Sequence, residues 1–307
     1  MNLFNKDKGI VVLSLFNGMS TGHTALNNVG IKVDKYYSSE IKPAAIKLTQ
    51  HHYPDTIQLG DVTKWKEWDI DWKNVDMVLS GSPCQDLSAM GKRKGLEGSR
   101  SGLFFVFVDI LNQIKKVNPN VLFLQENVGS APKKDVGIMS RALGLYPVRI
   151  NSSLVTAQLR DRYYWSNIKT KKDGLFGDLV TDIPQPKDRK IILKDIIESG
   201  EVTRDKSVAL LERTGEASTF KDMKGEKAQR YLKIRANKYN FVTIVKEDDY
   251  YRLFNQNELE ILQGFPKGYT KILSYNHASS LLGDGWTLPI IEHIFSYIGD
   301  NNEQKQS

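Results

Sequence analysis

Short apolar runs alternate with helix-length segments through the first half of the chain. GIVVLSLF has the length and branched content of a strand; the glycine-marked turn NGMSTG and a helical segment, HTALNNV, follow it. KVDKYYSSE predicts a second strand, and KPAAIKLTQHHY a helix with proline near its first turn. TIQLGDV and VDMVLSG predict the third and fourth strands. SGLFFVFVDILNQIKKV reads as a long helix, NVLFLQENV as a fully buried strand, and YPVRINSSLV and RDRYYWSNI as further sheet. Strands alternating with helices predict an α/β fold with a doubly wound, mostly parallel sheet.

The pattern changes after about Lys171. Pro184 and Pro186 introduce KIILKDIIESGEV, and a stretch rich in lysine and arginine follows, with Phe220, Tyr231, Tyr239 and Phe241 interleaved. From Tyr251 the helical pattern resumes in NQNELEILQGF and LPIIEHIFSYI. The expected organisation is a catalytic segment over 1–172, a small recognition domain over 173–250, and a C-terminal segment, 251–307, that returns to the first.

With 40% hydrophobic and 26% charged residues among 307, the chain has ample material for a core. Its N-terminus, MNLFNKDKG, does not read as a secretory signal, and no apolar run is long enough to cross a bilayer. A single cysteine forbids an internal disulfide and suits a reducing cytoplasm. One cysteine and five histidines give no expectation of a metal site. The formal charge of +7 suits a polyanionic partner such as DNA or RNA, though it also suits a mildly basic enzyme.

Ligands of parallel α/β sheets bind at the carboxyl ends of the strands, so the residues delivered there carry the functional reading. Strand one delivers Phe16, Gly18 and Gly22, whose glycines allow close backbone approach to a ligand; the spacing is not G-x-G-x-x-G. Strand two delivers Glu40, suited to a ribose diol, and strand three Asp61, suited to an adenine amino group. A glycine turn followed by two acids describes a site for an adenosyl cofactor without a pyrophosphate, and S-adenosylmethionine fits. Each acid, taken alone, equally reads as a helix cap. Strand four delivers Ser82, Pro83 and Cys84; a thiol near a helix start has a lowered pKa, whereas a lone cysteine elsewhere is usually a small buried hydrophobe. Glu126 emerges from an apolar strand, where burial favours holding a proton. Gln158, Arg160 and Arg162 alternate, which with period two puts them on one face of a strand, where both guanidiniums could meet one anionic or carbonyl-rich group; the alternative is a solvated strand face.

Together these segments resemble the cytosine-C5 DNA methyltransferases, in family order along nearly the whole chain except about 80 residues after Lys171. SLFNGMSTG resembles the cofactor loop, with Phe16, Gly18, Ser20, Thr21 and Gly22. Glu40 with Ile41 resembles the ribose site, and Asp61 with Val62 the adenine site. GSPCQDLS resembles the nucleophile loop, whose Ser82 and Pro83 border the cofactor, and SGLFF, with Leu103, the helix closing that pocket. QENV resembles the cytosine-binding turn, QLRDR the paired-arginine strand, and ELEILQGFP the support of the recognition domain. LLGDGWTLP, with Asp284, Gly285 and Trp286, resembles the motif that covers the cofactor; Asp284 stands where the family commonly has asparagine. SLFNGMSTG and LLGDGW look most like phage-type and de novo-type members.

The resemblance implies a Rossmann-like, S-adenosylmethionine-dependent methyltransferase fold with a small target-recognition domain. It implies that Cys84 attacks C6 of a cytosine flipped out of duplex DNA while Glu126 binds N3 and the exocyclic amine. Arg162 with Arg160 would hold the O2 edge or a phosphate, and the product is S-adenosylhomocysteine. DNA contacts are expected from Gln85, Ser88, Lys92, Arg93 and Lys94 in the loop after the thiol, and from Lys233 and Arg235 in the basic segment. The setting is bacterial or phage-borne, with or without a companion restriction nuclease. A tRNA substrate and a catalytically silent DNA-binding relative are the alternatives.

Overall fold

The computed structural model describes residues 8–83, 102–175, 177–210, 223–236 and 243–299. The chain forms two compact units: the first takes 1–150, 161–185 and 291–307, the second 151–160 and 186–290.

The first unit begins with β1 (Ile10–Leu15), α1 (Thr21–Asn28), β2 (Val33–Ser39), α2 (Pro43–His52), β3 (Ile57–Gln58) and β4 (Met77–Ser80). It continues through α3 (Gly102–Val117), β5 (Leu122–Val128), α4 (Lys133–Leu143) and β6 (Val148–Asn151). A short strand, β7 (Gln158–Leu159), belongs to the second unit, and β8 (Asp161–Ser166) rejoins the first. The sheet is a single layer ordered β3-β2-β1-β4-β5-β8-β6. β1 to β5 pair in parallel and β8 runs antiparallel to β5, so the fold is mixed α/β with a mostly parallel central sheet, as expected. Strand order reverses direction between β1 and β4, and this switch point is where such sheets open a crevice.

Apolar periodicity accounts for the packing. α3 buries Phe104, Phe107, Val108, Ile110, Leu111 and Ile114, a stripe at helical spacing, into one cluster with Leu13, Val78, Phe123 and Trp165. The Trp165 indole donates to Ser140 Oγ on α4 at 3.0 Å, which satisfies its one polar atom inside the core. Pro43 stands at the first position of α2, where its missing N–H costs no hydrogen bond.

Two strand expectations shorten. TIQLGDV pairs only through Ile57 and Gln58; Gly60 then turns with φ +73° and Asp61 caps a 3₁₀ turn. The run from Gln158 to Ser166 is two strands, because the Arg160 N–H turns back to the Gln158 carbonyl at 3.0 Å. A hairpin, β9 (Thr170–Asp173) with β10 (Asp178–Thr181), completes this part of the first unit.

The second unit holds β7, β11 (Ser207–Val208), α5 (Glu226–Ala236), the hairpin β12 (Val245–Lys246) with β13 (Tyr251–Arg252), α6 (Gln256–Leu262) and α7 (Tyr275–Asp284). The last helix, α8 (Leu288–Phe295), ends in the first unit. These limits differ from the boundaries expected at 172 and 250. Hydrogen bonds explain why: Lys206 Nζ donates to the carbonyls of Ser153, Thr156 and Ile191, and β7 pairs with β11, so 151–160 is held inside the second unit. Thr156 Oγ1 and Gln158 Nε2 both donate to the Leu262 carbonyl, which binds α6 to the same group.

Candidate active site

The loop after β1 is held in an unusual backbone path. Phe16, Gly18 and Ser20 have φ of 56°, 57° and 61°, a region that non-glycine residues rarely occupy and that clusters at functional sites. A buried polar network holds it there. Asn17 Nδ2 donates to Ser20 Oγ at 2.9 Å and to Thr49 Oγ1 at 3.2 Å, and the Tyr36 hydroxyl donates to Asn17 Oδ1. The Gly18 N–H donates to Glu40 Oε2 at 2.8 Å, while Glu40 Oε1 accepts from the N–H groups of Ile41 and Lys42. The acid at the end of β2 thus ties the β1 loop to the start of α2. The two glycines differ in kind: a Cβ on Gly18 would meet only the Phe16 carbonyl oxygen, at an ordinary 3.9 Å, whereas one on Gly22 would lie 2.4 Å from Leu79 Cδ1. Gly22, beside buried Thr21, serves close packing of α1 on the sheet rather than ligand approach.

Asp61 Oδ1 accepts from both the backbone N–H and the hydroxyl of Thr63 at 2.9 Å, and chiefly the first of these holds its carboxyl below the usual range. Val62 behind it is buried, Ile41 is 69% exposed at the β2 end, and Leu103 packs half-buried against the main cluster. Beyond β4, buried Ser82 accepts from Gln125 Nε2 at 2.9 Å, and Pro83 is the last residue described before 102. Cys84, Gln85, Ser88, Lys92, Arg93 and Lys94 lie outside the described residues.

β5 lies beside β4, with Gln125 paired to Ser80, and carries Glu126 at its buried end. The carboxylate oxygen Oε1 sits 2.8 Å from Arg162 Nε, on the antiparallel neighbour β8. Arg162 also donates to the Asp161 carbonyl. On β4 and β5, Ser80 Oγ, Gln125 Oε1 and Asn127 Nδ2 are buried with no hydrogen-bond partner among the described residues. Gln125 and Asn127 lie in the QENV turn but were given no role of their own, and the Asn17–Thr49 network escaped the sequence reading. Polar residues flanking Glu126 in an otherwise apolar strand were the available signal for the first two.

The expectation that Arg160 and Arg162 meet one group is corrected. Arg160 lies in the second unit, 3% exposed, and its guanidinium donates to the carbonyls of Leu210, Gly283 and Gly285 at 2.9–3.1 Å. It is a clamp on backbone, and the chain turn at its own N–H separates it from Arg162. Asp284, Gly285 and Trp286 also belong to the second unit, at the end of α7. Gln263 Nε2 donates to the Leu282 carbonyl there, and Gln263 Oε1 accepts from Thr287 Oγ1 and Gln158 Nε2. Lys233 is exposed on α5, but Arg235 is half-buried with its guanidinium 4.9 Å over the Tyr231 ring. Among the described residues no cluster of three or more His, Cys, Asp or Glu could hold a metal ion, and no helix is long and apolar enough to cross a membrane.

The chain resembles the type II methyltransferase M.NlaIV of Neisseria lactamica, 32% identical over 212 residues that cover 62% of this chain and 47% of that protein. The orphan methyltransferase M.SPRI of Bacillus phage SPR is 34% identical over 173 residues, 52% of this chain and 37% of that protein. The chain therefore spans about half the length, or less, of these relatives. Among solved structures, the Entamoeba histolytica methyltransferase EhMeth shares the fold at a TM-score of 0.67 and 14% identity, covering 96% of this chain and 99% of that one. The family profile of C-5 cytosine-specific DNA methylases matches residues 10–212, two thirds of the sequence, and the chain belongs to that family.

Proposed function

We propose that this chain transfers a methyl group from S-adenosylmethionine to C5 of cytosine in duplex DNA, through a covalent bond between Cys84 and C6. The observation that carries the reading is the Glu126–Arg162 pair, buried at the carboxyl end of β5 beside the strand that leads into Pro83 and Cys84.

The donor set fits an adenosyl cofactor. Gly18 has a positive φ and no side chain to bar a ligand, Glu40 Oε2 keeps a lone pair beyond its bond to Gly18, and the cap at Asp61 uses Oδ1 and leaves Oδ2 outside it. When bound, S-adenosylmethionine supplies an electrophilic methyl group on sulfur, held by Gly18, Glu40, Ile41, Asp61 and Val62.

The chain's own residues do the rest. Cytosine C5 is a poor nucleophile because the ring holds its electrons. Addition of the Cys84 thiolate to C6 pushes an electron pair toward C5 and N3. A proton held between Glu126 and N3, with the other carboxyl oxygen accepting from the exocyclic amine, balances the charge that develops there, and Arg162 fixes the carboxyl group's orientation from 2.8 Å. Once C5 is methylated, a water acting as base takes the C5 proton, the electron pair of that bond re-forms the ring double bond, and the C6–S bond breaks to release the thiolate. C6 is out of reach in a stacked base, so the cytosine has to be extruded, at a cost of a few kcal/mol.

The test is incubation with methyl-labelled cofactor and duplex DNA, followed by hydrolysis and detection of 5-methylcytosine. Cys84→Ser is expected to be inactive, and duplexes containing 5-fluorocytosine are expected to trap a covalent adduct. Label appearing in structured RNA and not in DNA would overturn the substrate, and an active Cys84→Ser protein would overturn the mechanism.

A further inference from the structure

Phe16, Gly18 and Ser20 all hold positive φ within five residues, and for the phenylalanine and the serine that backbone region is costly. A loop of this kind relaxes unless the fold holds it, and one amide stands in its middle. Asn17 lies between Phe16 and Gly18, the two residues expected to face the cofactor, yet its own side chain is spent inside the fold. Its amide nitrogen has two protons and both are used, one on Ser20 Oγ at 2.9 Å and one on Thr49 Oγ1 at 3.2 Å. Its oxygen accepts from the Tyr36 hydroxyl at 3.1 Å. Ser20 Oγ and Thr49 Oγ1 share a further bond of 2.8 Å, which closes a triangle between the β1 loop and α2. All four residues are at most 9% exposed.

The partners are braced in turn. His23 stacks on the Tyr36 ring at 4.3 Å. The Ser20 carbonyl accepts from both the N–H and the hydroxyl of Thr24, at 3.0 and 3.1 Å, and Thr24 Oγ1 shares a 2.8 Å bond with the Tyr53 hydroxyl. The Asn17 N–H donates to the Ser39 carbonyl at 3.3 Å, which lays the loop over the end of β2. The next peptide then presents the Gly18 N–H to Glu40 Oε2 at 2.8 Å. The path of the chain at Asn17 thus decides both where the glycine backbone lies and how the Glu40 carboxylate is turned.

We propose that Asn17 is a positioning residue for the cofactor: its amide, held by Tyr36, Thr49 and Ser20, locks the Phe16–Ser20 loop and, through Gly18, the Glu40 carboxylate into the binding shape before S-adenosylmethionine arrives. The inference rests on the S-adenosylmethionine reading and adds the group that sets affinity without touching the ligand. Three directional bonds fix one geometry, where packing alone leaves a loop several. A loop already ordered loses little freedom on binding, so the effect falls on affinity rather than on the chemical step. Glu126 and Arg162, which face the reaction, are on β5 and β8 and share no hydrogen bond with this network.

The experiment compares the full chain with Asn17→Ala, Tyr36→Phe and the double variant. Binding of S-adenosylhomocysteine is measured by calorimetry without DNA, and KM for S-adenosylmethionine and kcat are measured in methyl transfer to duplex DNA. Asn17→Ala is expected to bind about tenfold more weakly and to raise KM by a similar factor, with kcat at saturating cofactor within about threefold of the unaltered chain. Tyr36→Phe removes one oxygen and keeps the ring against His23; it is expected to weaken binding about threefold. In the Asn17→Ala background it should add nothing, because its hydroxyl acts through the missing amide. A merely structural lesion lowers the fraction of chains that bind, read as the calorimetric stoichiometry, and leaves the Kd of the folded ones unchanged. Should Asn17→Ala fail to fold, Tyr36→Phe and Thr49→Val carry the test, each expected to raise Kd at full stoichiometry. An unchanged Kd in the folded variants, an equal loss from Tyr36→Phe in both backgrounds, or a loss confined to kcat overturns the assignment. If the unaltered chain binds no S-adenosylhomocysteine, the cofactor reading fails instead, and that arm tells the two failures apart.

Discussion

The main cluster of the first unit is apolar: Leu13, Val78, Phe107, Leu111, Phe123 and Trp165 pack against one another with almost no exposure. In the second unit Gln158, Arg160, Glu258, Glu260 and Gln263 are as deeply buried as its apolar residues Phe254, Leu259, Leu262 and Leu282, and a small cluster elsewhere rests on Leu232, Ile244 and Leu253. The difference follows from backbone. A regular sheet satisfies its own N–H and C=O groups, so its side chains are free to be apolar. The irregular turns of the second unit leave peptide groups unpaired, and side chains complete them: Glu260 accepts from the N–H groups of Gly268 and Thr270, and Arg160 donates to three carbonyls. A sheet-based unit is thus damaged by losing volume, and a turn-based unit by losing a partner.

The largest effect tests whether the buried carboxylate of the first unit is there for chemistry. Glu126→Gln keeps the shape and removes the charge opposite Arg162. Methyl transfer is expected to fall about a thousandfold, the scale of a lost acid–base group. The urea midpoint should move far less than for a substitution at Glu258, a carboxylate that the same comparison makes structural.

Next in size is the pair of core lesions. Phe107→Ala should cost about 3–5 kcal/mol through lost burial and a cavity. Arg252→Met should cost a similar amount, about 3–5 kcal/mol, because it strands Glu258, whose side chain is fully buried. The two respond oppositely to a second change. Arg252→Met/Glu258→Gln should recover part of the lost stability in urea titrations, since the amide removes the buried charge and its oxygen still accepts from one of the two backbone N–H groups, of Glu198 and Asn255, that Glu258 serves; no second deletion refills the space left by Phe107. An unrescued double variant would mean that the second unit depends on volume as the first does.

Arg160→Lys is a smaller lesion of the same kind. An ammonium group lacks the planar fork that reaches Gly283 and Gly285 with different nitrogens, so at least one buried carbonyl loses its donor, at about 1–3 kcal/mol. Urea unfolding followed by tryptophan fluorescence measures it.

The same physical difference decided what could be read in advance. β1, α3 and β5 follow from apolar periodicity, because a sheet core leaves its period in the sequence. Glu40, Asp61 and Glu126 stand at strand ends as expected. Their partners Gly18, Thr63 and Arg162 were not foreseen as such, because a hydrogen bond across neighbouring strands or loops has no fixed spacing. Arg160 and Arg162 show where alternation misleads: period two holds only while the strand continues, and the chain turns at Arg160. On α5, Lys233 and Arg235 were both expected to touch DNA, yet residues two apart on a helix face different ways.

The smallest effect concerns one polar ring packed as if it belonged to the apolar interior. His23 on α1 is stacked between Tyr36, at 4.3 Å and 11°, and Tyr53, at 3.9 Å and 15°, and its Nδ1 is buried with no hydrogen-bond partner among the described residues. Burial lowers its pKa from 6.5 to about 4. Between those values the unfolded chain binds a proton that the folded chain refuses, so stability rises with pH through this window and is lost as pH falls toward 4. Part of the ring reaches solvent, which reduces the effect to about 1 kcal/mol. Burial raises the pKa of Tyr36 and Tyr53, so neither titrates in this range. His23→Phe preserves the stack and removes the proton. In urea titrations from pH 7 to pH 4 the variant should lose about 1 kcal/mol less than the unaltered chain, with the carboxylates common to both cancelling in the difference. Equal losses would mean that the imidazole accepts its proton inside the stack, and that the site beneath the Phe16–Ser20 loop is wetter than its packing implies.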